Sequence, residues 1–436
     1  MRILLTGASG FIGQHLLHAL LAEGHQVVCA GRRMKTSTDP RLSFIQADFA
    51  KDTDKSAWLA RLSGIDAVIN TVGIFRESGA QRFDNLHVRT PRALFAACAE
   101  SDEVHMVIQL SALGADEGAE TAYHLSKKAA DDYLASLPVR ACIVQPSLVY
   151  GPDGTSARAF KAMASLPFAV RLGDAPQLVQ PVHVDDVVAA IVALLRQRLH
   201  VDDAHAQPAS GTARRIALAG PEALPFVDYL AALRRAMGMN TLRVVALPGG
   251  LARTLARFGR WLPGGLLDPD ALRMLDRGNT AYAAPIARLL GRPPRGIASF
   301  VLDPGAERAR AKLDWLLPPL RWAIAAVWII TAIVSAFVYP VQDSYELLAR
   351  TGIPDALHPL MLYGASAFDM AFGLGILLFK RRRWLWLAQL ILIGFYTVVI
   401  ALKLPEFLVH PYGPLSKNLP MLAAIWLLYE LDGKEK

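Results

Sequence analysis

The last third of the chain contains three long apolar segments that severely limit how it can fold. Residues 322–342 and 384–402 carry no charged side chain, and residues 359–379 carry only Asp369. About 20 apolar residues in a helix are enough to cross the hydrocarbon core of a bilayer. Lipid offers the backbone no hydrogen-bond partners, so a spanning segment of this kind must be helical. The sequence therefore predicts a membrane-embedded helical bundle.

A fourth apolar segment, residues 419–429, is short for a complete crossing. Extension back to Tyr412 lengthens it but brings in Lys417, so a tilted span, a re-entrant piece and an interfacial helix all remain compatible with the sequence. We favour a span, because it returns the tail, residues 433–436, to the side of the N-terminal domain.

Basic residues around these segments predict their orientation. They cluster before the first segment and between the second and third, where cytoplasmic loops carry them: Arg308, Arg310, Lys312, Arg321, Lys380, Arg381, Arg382 and Arg383. The net charge of +8 then indicates attraction to a lipid bilayer with anionic headgroups. No nucleic acid is expected as a partner, because no zinc-finger spacing, RNA-binding aromatic motif or basic helix stripe is present.

Three glycines at three-residue spacing, Gly7, Gly10 and Gly13, stand between an apolar run and a helix-like segment near the start of the chain. Glycine permits a tight turn and lets the backbone approach a pyrophosphate, while free N–H groups at the helix start face the anion. Phe11 and Ile12 belong to the same turn. The sequence therefore predicts a dinucleotide-binding site here.

The following strand-like segments predict the adenosine half of the site. Residues 26–30 lead to Arg32, and no acidic residue follows until Asp39. An arginine at this position accommodates a 2'-phosphate, whereas NAD sites usually place a carboxylate there. We therefore expect NADP, with NAD as the alternative. Asp48 stands where a side chain can accept from the adenine amino group, and a helix-capping role is equally compatible.

Tyr123 and Lys127 stand four residues apart in a helical segment, behind a buried strand-like run that ends at Ser111. Positions i and i+4 share a helix face, so the lysine charge is expected to lower the tyrosine pKa from its usual value near 10. A tyrosine tuned in this way passes a proton to or from a substrate oxygen. Ser111 is expected to hydrogen-bond the same oxygen.

With these residues in place, residues 1 to about 300 resemble the short-chain dehydrogenase/reductase superfamily in its extended and atypical forms. The match lies in the glycine turn, in Ser111, Tyr123 and Lys127, and in the segments 145–151 and 181–187. The resemblance implies that these three residues are catalytic and that the segment containing Pro146 lines the nicotinamide side of the cleft. Gly73, behind the strand-like segment 67–70, is a further candidate for cofactor binding.

Two further features qualify this resemblance. Segments 218–222 and 251–279 are most similar to the atypical branch that includes the nucleotide-binding accessory subunit of complex I. Extended members often carry adjacent serines or threonines where this chain has only Ser111 followed by Ala112.

Residues 320–432 resemble the DoxX-like family of four-helix membrane proteins, through Asp369, Gln389, Tyr396 and the segment 412–420. That family is loosely linked to quinone or thiol redox systems, which implies a membrane redox partner. A carboxyl group in the middle of a span is costly unless it is paired or in a wet cavity. Asp369 is therefore either functional or hydrogen-bonded to Gln389 or Tyr396.

The predicted fold is α/β: a Rossmann doubly wound parallel sheet with a small substrate lobe, followed by an α-helical transmembrane bundle. Residues 1–300 form the NAD(P)-binding domain, with the lobe from about 150, residues 301–319 a linker, and residues 320–432 the membrane domain. We expect a multi-pass protein of the inner (cytoplasmic) membrane with its Rossmann domain in the cytoplasm. No metal site is predicted, because the cysteines and histidines lack ligand spacing.

The functional expectation is an NAD(P)-dependent oxidoreductase that acts on a small, lipophilic carbonyl, alcohol or quinone-like substrate. Two alternatives stay open. One is a nucleotide-sugar epimerase or dehydratase, and the other is a non-catalytic nucleotide-binding sensor or assembly protein.

Overall fold

The computed structural model describes residues 1–33, 36–172, 176–199, 213–247, 269–411 and 413–432. Its contacts divide the chain into two units, Met1–Ala311 and Lys312–Lys436. The division falls inside the predicted linker, and the helix Pro304–Ile333 runs through it with Pro318 and Pro319 in its interior. Residues 251–268, Tyr412 and residues 433–436, all used above, lie outside the described residues.

The first unit contains thirteen strands among its described residues. They are β1 Arg2–Thr6, β2 Gln26–Gly31, β3 Leu42–Gln46, β4 Ala67–Asn70, β5 Met106–Leu110, β6 Ala141–Pro146, β7 Val149–Tyr150, β8 Phe168–Leu172, β9 Leu178–Val179, β10 Val182–His183, β11 Arg214–Leu218, β12 Leu224–Pro225 and β13 Arg243–Leu247. Seven of them form one parallel sheet in the order β3-β2-β1-β4-β5-β6-β11. The predicted doubly wound sheet is confirmed.

The helices of the first unit that are named below are α1 Phe11–Ala22, α2 Lys55–Leu59, α3 Thr90–Glu100, α4 Ala122–Ser136, α5 Thr155–Ser165, α6 Val184–Leu199 and α7 Phe226–Ala236, followed by Pro269–Arg277 and Ala284–Leu290. A π-helical segment, Asp84–Arg89, precedes α3. Pro91, the second residue of α3, has no backbone N–H. It therefore cannot donate to the carbonyl four residues earlier, as the α-helical pattern would require. Residues 84–100 are therefore helical in two segments.

Both faces of the sheet are covered, as a parallel sheet requires. One apolar core joins Ile3, Leu5, α1 and α6, and the other joins Leu4, Val68, α2 and α3. Alternate residues of β1 thus enter opposite cores, because successive side chains of a strand point to opposite faces. Because both faces of the sheet are buried, the strand segments of the sequence are mostly apolar.

A smaller lobe beyond β6 has a core of its own. Tyr150 stacks on Phe300 with ring centroids 4.6 Å apart, and the buried Lys161 pairs with Glu307. Three two-stranded sheets belong to this region, β7 with β10, β9 with β12, and β8 with β13. The role of this region as a substrate lobe from about residue 150 stays a prediction.

The second unit contains the helices Val341–Arg350, His358–Leu378, Arg383–Lys403, Glu406–Val409 and Asn418–Leu431, with short segments Val334–Val338 and Asp355–Leu357. Three of the described helical stretches are long and apolar enough to cross a membrane: Pro304–Val338, Asp355–Leu378 and Arg383–Lys403. They coincide with the three predicted spans. Asn418–Leu431, at 14 residues, is shorter than a typical span, and its crossing stays a prediction.

The interior of the second unit is partly polar. Gln389 is fully buried and its side-chain oxygen accepts from Trp328 Nε1 at 2.8 Å. Asp369 is also buried, yet its Oδ1 and the amide nitrogen of Gln389 have no hydrogen-bond partner among the described residues. The alternative in which Gln389 donates to Asp369 is therefore wrong.

Candidate active site

The glycine turn between β1 and α1 is built to leave space beside the backbone. Gly7 has φ +77°, which favours glycine, and its carbonyl accepts from Gly10 N at 2.9 Å. A Cβ added at Gly13 would lie 2.9 Å from Thr71 Oγ1, so only glycine fits there. Within the described residues no side chain caps α1, and its first N–H groups are available to an anion. These features fit the phosphates of a dinucleotide.

This turn lies at the point where the strand order reverses. β1 pairs with β2 on one side and with β4 on the other, and the crevice at such a switch point is where open α/β sheets bind ligands. Arg32 follows β2 and is exposed, on the side of the sheet where the adenosine half is expected. On the other side of β1, Gly73 follows β4, Ser111 follows β5, and Pro146 is the last residue of β6.

Asp48 stabilises a turn behind β3. Its Oδ1 accepts from Ala50 N at 3.0 Å, and its own N–H donates to Asp52 Oδ2 at 2.8 Å. The helix-capping alternative is wrong, because the next helix, α2, begins at Lys55 with Asp54 at its N-cap position. Adenine recognition by Asp48 stays a prediction.

Tyr123 lies at the start of α4 among four other rings. Its ring centroid is 5.3 Å from Phe75 and 5.7 Å from His87, with His124 and Phe83 close by. Phe75 keeps 54% of its surface exposed. The surroundings of the phenol are therefore apolar and open toward the outside at Phe75.

Lys127 lies one turn further along α4 and is buried. Its ammonium donates to the carbonyl oxygens of Val72, at 3.2 Å, and Leu110, at 3.1 Å. Val72 follows β4, and Leu110 is the last residue of β5. A Cβ added at Gly73 would lie 3.0 Å from this ammonium. Lys127 and Gly73 thus meet at the carboxyl edge of the sheet, as expected for a group beside the nicotinamide half of the cleft.

The expected lowering of the tyrosine pKa is wrong for this structure. Burial, with a smaller effect of the Asp131 charge, raises the pKa of Tyr123 to about 12. Burial also lowers the pKa of Lys127 to about 8, against the opposing effect of Asp131. Burial of the phenol is the main cause of the rise, and two of the rings packed around it, Phe75 and Phe83, come from distant parts of the sequence. Tyr123 is accordingly protonated at neutral pH and suited to donate a proton.

His87 is a fully enclosed member of the same site. Its Nε2 accepts from Ile74 N at 3.0 Å, which assigns the hydrogen to Nδ1, and Nδ1 lies 2.9 Å from Ser126 Oγ. Ser126 in turn donates to the carbonyl oxygen of Tyr123 at 2.8 Å. Burial, followed by the Lys127 charge, lowers the pKa of His87 to about 2, so the ring stays neutral. This chain of hydrogen bonds holds the first turn of α4 in place.

Ser111 is bonded differently from the sequence-based expectation. Its hydroxyl hydrogen-bonds to Asp131 Oδ2, a carboxyl on α4 that is fully buried. Burial raises the pKa of Asp131 to about 6, and the bond from Ser111 and the charge of Lys127 oppose that rise. The serine is at the predicted place, behind β5, but its hydroxyl is engaged with a protein group.

Two residues of this corner, His87 and Asp131, are missed by the sequence argument. Asp131 follows Lys127 at the same four-residue spacing that links Lys127 to Tyr123, so the helical periodicity contains the signal. For His87 the sequence offers no comparable pattern, because its partners Ile74 and Ser126 are brought to it by the fold.

Comparison with known families supports both resemblances. Residues 3–205 match the model of the NAD dependent epimerase/dehydratase family, and residues 325–426 match the DoxX-like family. The first unit is thus similar to a family of nicotinamide-dependent enzymes, and the second to a membrane domain.

Curated relatives match the first unit. A ceramide reductase of Caulobacter vibrioides is 28% identical over 198 residues, covering 44% of this chain and 61% of the relative. The mitochondrial NADH dehydrogenase [ubiquinone] 1 alpha subcomplex subunit 9 of Arabidopsis thaliana is 26% identical over 258 residues, covering 57% of this chain and 61% of the relative. The chain spans about three fifths of the length of these two relatives.

Solved structures show the fold. A nucleoside-diphosphate-sugar epimerase from Staphylococcus aureus has a TM-score of 0.54 at 16% identity, covering 70% of this chain and 100% of that one. A UDP-glucuronic acid 4-epimerase variant from Bacillus cereus, in complex with a UDP-sugar and NAD, has a TM-score of 0.50 at 20% identity, covering 72% and 100%.

Proposed function

We propose that this chain is a membrane-anchored, NAD(P)-dependent oxidoreductase that acts on a lipophilic carbonyl, alcohol or quinone-like molecule. The observation that carries the proposal is the position of Tyr123, one helical turn from Lys127, whose ammonium donates to the carbonyl oxygens of Val72 and Leu110 at the carboxyl ends of β4 and β5. A proton donor and a cation thus stand at the carboxyl edge of a sheet whose first turn is shaped for a dinucleotide.

The protein groups divide the work as follows. A nicotinamide nucleotide, when bound, would supply or accept the hydride. Tyr123, protonated at neutral pH, donates its proton to a carbonyl oxygen and takes one back in the reverse direction. Lys127, on the same face of α4, supplies a positive charge that favours proton release as the phenolate forms.

The substrate class follows from the surroundings of the phenol. Phe75, at 54% exposure, presents apolar surface beside the Tyr123 ring. The same chain carries helices long and apolar enough to cross a membrane, which suits an enzyme for lipid-soluble substrates. A relative named a ceramide reductase supports a lipid substrate. We therefore favour a lipid ketone, aldehyde or alcohol.

Arg32 favours NADP over NAD. Its guanidinium is exposed directly behind β2, where it can pair with a 2'-phosphate. The nucleotide phosphates would be held by the turn that contains Gly7, Gly10 and Gly13. Phe11 and Ile12 would flank them at the start of α1.

The proposed location is the inner membrane, with the first unit in the cytoplasm. The basic segment 380–383 between two spans supports this orientation by the positive-inside rule. Labelling of single cysteines introduced into that segment, in intact cells and in inverted vesicles, tests it. Labelling from the outside of intact cells would refute the orientation.

Tyr123→Phe tests the proposed chemistry, because it removes the hydroxyl and keeps the ring. We expect kcat to fall by about 10²–10⁴-fold, the usual contribution of a general acid or base, while NADPH affinity stays within about twofold. Tyr133→Phe on the same helix is the matched control, since that ring packs against Arg92 away from the site. The assay follows transfer of labelled hydride from NADPH to a panel of long-chain ketones, aldehydes and alcohols.

Two outcomes would overturn the proposal. One is that full-length protein in detergent fails to bind NADPH in a fluorescence titration. The other is that Tyr123→Phe turns over as fast as Tyr133→Phe.

The second candidate is a nucleotide-sugar epimerase or dehydratase, favoured by the family that residues 3–205 match. Such an enzyme recycles a tightly held cofactor, so it would purify with oxidised nucleotide that does not exchange. Interconversion of UDP-sugars without net consumption of NADPH would select this candidate. A non-catalytic sensor would be indicated if Tyr123→Phe preserves the cellular phenotype that Gly10→Asp abolishes.

A further inference from the structure

Ser111 and Asp131 form a hydrogen-bonded pair that the proposed mechanism, which uses Tyr123 and Lys127, does not include. Ser111 directly follows β5, next to Leu110, whose carbonyl binds Lys127. Its hydroxyl hydrogen-bonds to Asp131 Oδ2, and both residues are at least 96% buried, since their exposed fractions are 4% and 0%. The other carboxyl oxygen of Asp131 has no hydrogen-bond partner in the described part of the chain. This carboxyl group therefore depends on Ser111 for its side-chain hydrogen bonding.

A serine hydroxyl has a single hydrogen, and this limits what it can offer a substrate. An ionised carboxylate only accepts, so it takes the hydrogen of Ser111 and leaves the serine oxygen only as an acceptor. A protonated carboxyl can instead donate to the serine oxygen. The hydrogen of Ser111 is then free to be donated to a substrate oxygen.

We propose that Asp131 is a positioning residue that sets the direction of the Ser111 hydroxyl, and thereby determines whether the site binds a hydrogen-bond acceptor or a hydrogen-bond donor. This inference rests on the proposed function and adds to it a substrate oxygen within hydrogen-bond reach of Ser111 as well as Tyr123. With Asp131 neutral, the site favours an acceptor such as a carbonyl. With Asp131 ionised, it favours a donor such as an alcohol.

The electrostatic surroundings place this change within an accessible pH range. Burial raises the pKa of Asp131 to about 6, against the Ser111 hydrogen bond and the charges of Lys127 and Arg215, and with a smaller rise from Asp132. Tyr123, neutral at these pH values, is the remaining titratable group in electrostatic contact with it. The carboxyl group is thus neutral at mildly acidic pH and ionised above about pH 7.

Two unreactive lipids distinguish the two states. N,N-dimethyldodecanamide only accepts hydrogen bonds, whereas 2-methyldodecan-2-ol donates one and, as a tertiary alcohol, has no hydrogen to lose from its carbinol carbon. Binding of the radiolabelled compounds to full-length protein in nanodiscs with NADP⁺ is measured by scintillation proximity between about pH 5 and pH 8. Empty nanodiscs correct for partitioning into lipid.

We expect the affinity ratio of alcohol to amide to rise about tenfold from the acid to the alkaline end, the effect of one hydrogen bond gained or lost. Asp131→Asn should make the ratio independent of pH between about pH 5 and pH 7, where an amide does not titrate and Lys127, with a pKa of about 8, keeps its charge. Asp132→Asn is the matched control, because this exposed neighbour pairs with Lys128 and Arg215 and should keep the wild-type profile.

A ratio that does not change with pH in the wild type would overturn the inference. So would an unaltered pH profile in Asp131→Asn. If Asp131→Asn does not fold, Ser111→Ala decides the question, because it removes the hydroxyl and should abolish the pH dependence with the carboxyl in place. The readout is binding, so a failure of turnover would contradict the proposed reaction without affecting this test.

Discussion

Gly7→Ala addresses the feature on which nucleotide binding depends, the turn between β1 and α1. Gly7 has φ +77°, and a Cβ added there would lie 2.6 Å from Thr71 Oγ1 and 2.8 Å from the Thr71 carbonyl carbon. Thr71 cannot move away easily, because its N–H and its hydroxyl both donate to Thr6 O, at 3.1 and 2.7 Å. The added methyl group must therefore displace the turn itself.

The size of the effect follows from two terms. A left-handed backbone conformation costs an alanine about 1 kcal/mol relative to glycine. Forcing a methyl group into a filled space adds about 1–3 kcal/mol. Together these lower the free energy of unfolding of the first unit by about 2–4 kcal/mol, or about 5–15 °C in its thermal midpoint.

Gly24→Ala separates the two terms. Gly24 has φ +81°, yet no described atom lies within 4 Å of the Cβ that alanine would add. We expect this variant to lose only the conformational term, about 1 kcal/mol and about 2–4 °C. Thermal unfolding in detergent and fluorescence titration with NADPH measure both variants. Equal losses of stability in the two, or unchanged NADPH affinity in Gly7→Ala, would refute the reasoning.

Two further predictions concern the nucleotide and the buried imidazole. Arg32→Glu should weaken NADPH binding about tenfold to a hundredfold while sparing NADH, because the cation that pairs with the 2'-phosphate is replaced by an anion; an unchanged ratio of the two affinities in fluorescence titrations would exclude Arg32 from the site. His87 has its pKa lowered by burial, and then by Lys127, from 6.5 to about 2, so its contribution to stability is fully present above pH 6.5 and is lost as the pH falls below that value. Between about pH 6.5 and pH 5, the free energy of unfolding should therefore fall less steeply in His87→Asn than in the wild type, by about 1.4 kcal/mol per pH unit. Thermal midpoints measured over this range that fall equally steeply in both proteins would contradict this.

Features that depend on short-range order follow from the sequence alone. The uncharged segments give three helices long and apolar enough to span a membrane, because hydrocarbon leaves the backbone no other way to satisfy its hydrogen bonds. The glycines at positions 7, 10 and 13 give the turn, and at positions 7 and 13 a Cβ would clash with neighbouring atoms. The spacing of Tyr123 and Lys127 places both on one helix face, because an α-helix repeats every 3.6 residues.

The chemical state of the candidate site is decided by the tertiary structure. Phe75, Phe83 and His87 converge on Tyr123 from the β4 side of the sheet and raise its pKa, against the effect expected from Lys127. Ser111 and Asp131 are 20 residues apart, and only the packing of α4 against β5 joins them. Burial and hydrogen bonding depend on every group that surrounds an atom, whereas a local pattern reports only the neighbours along the chain.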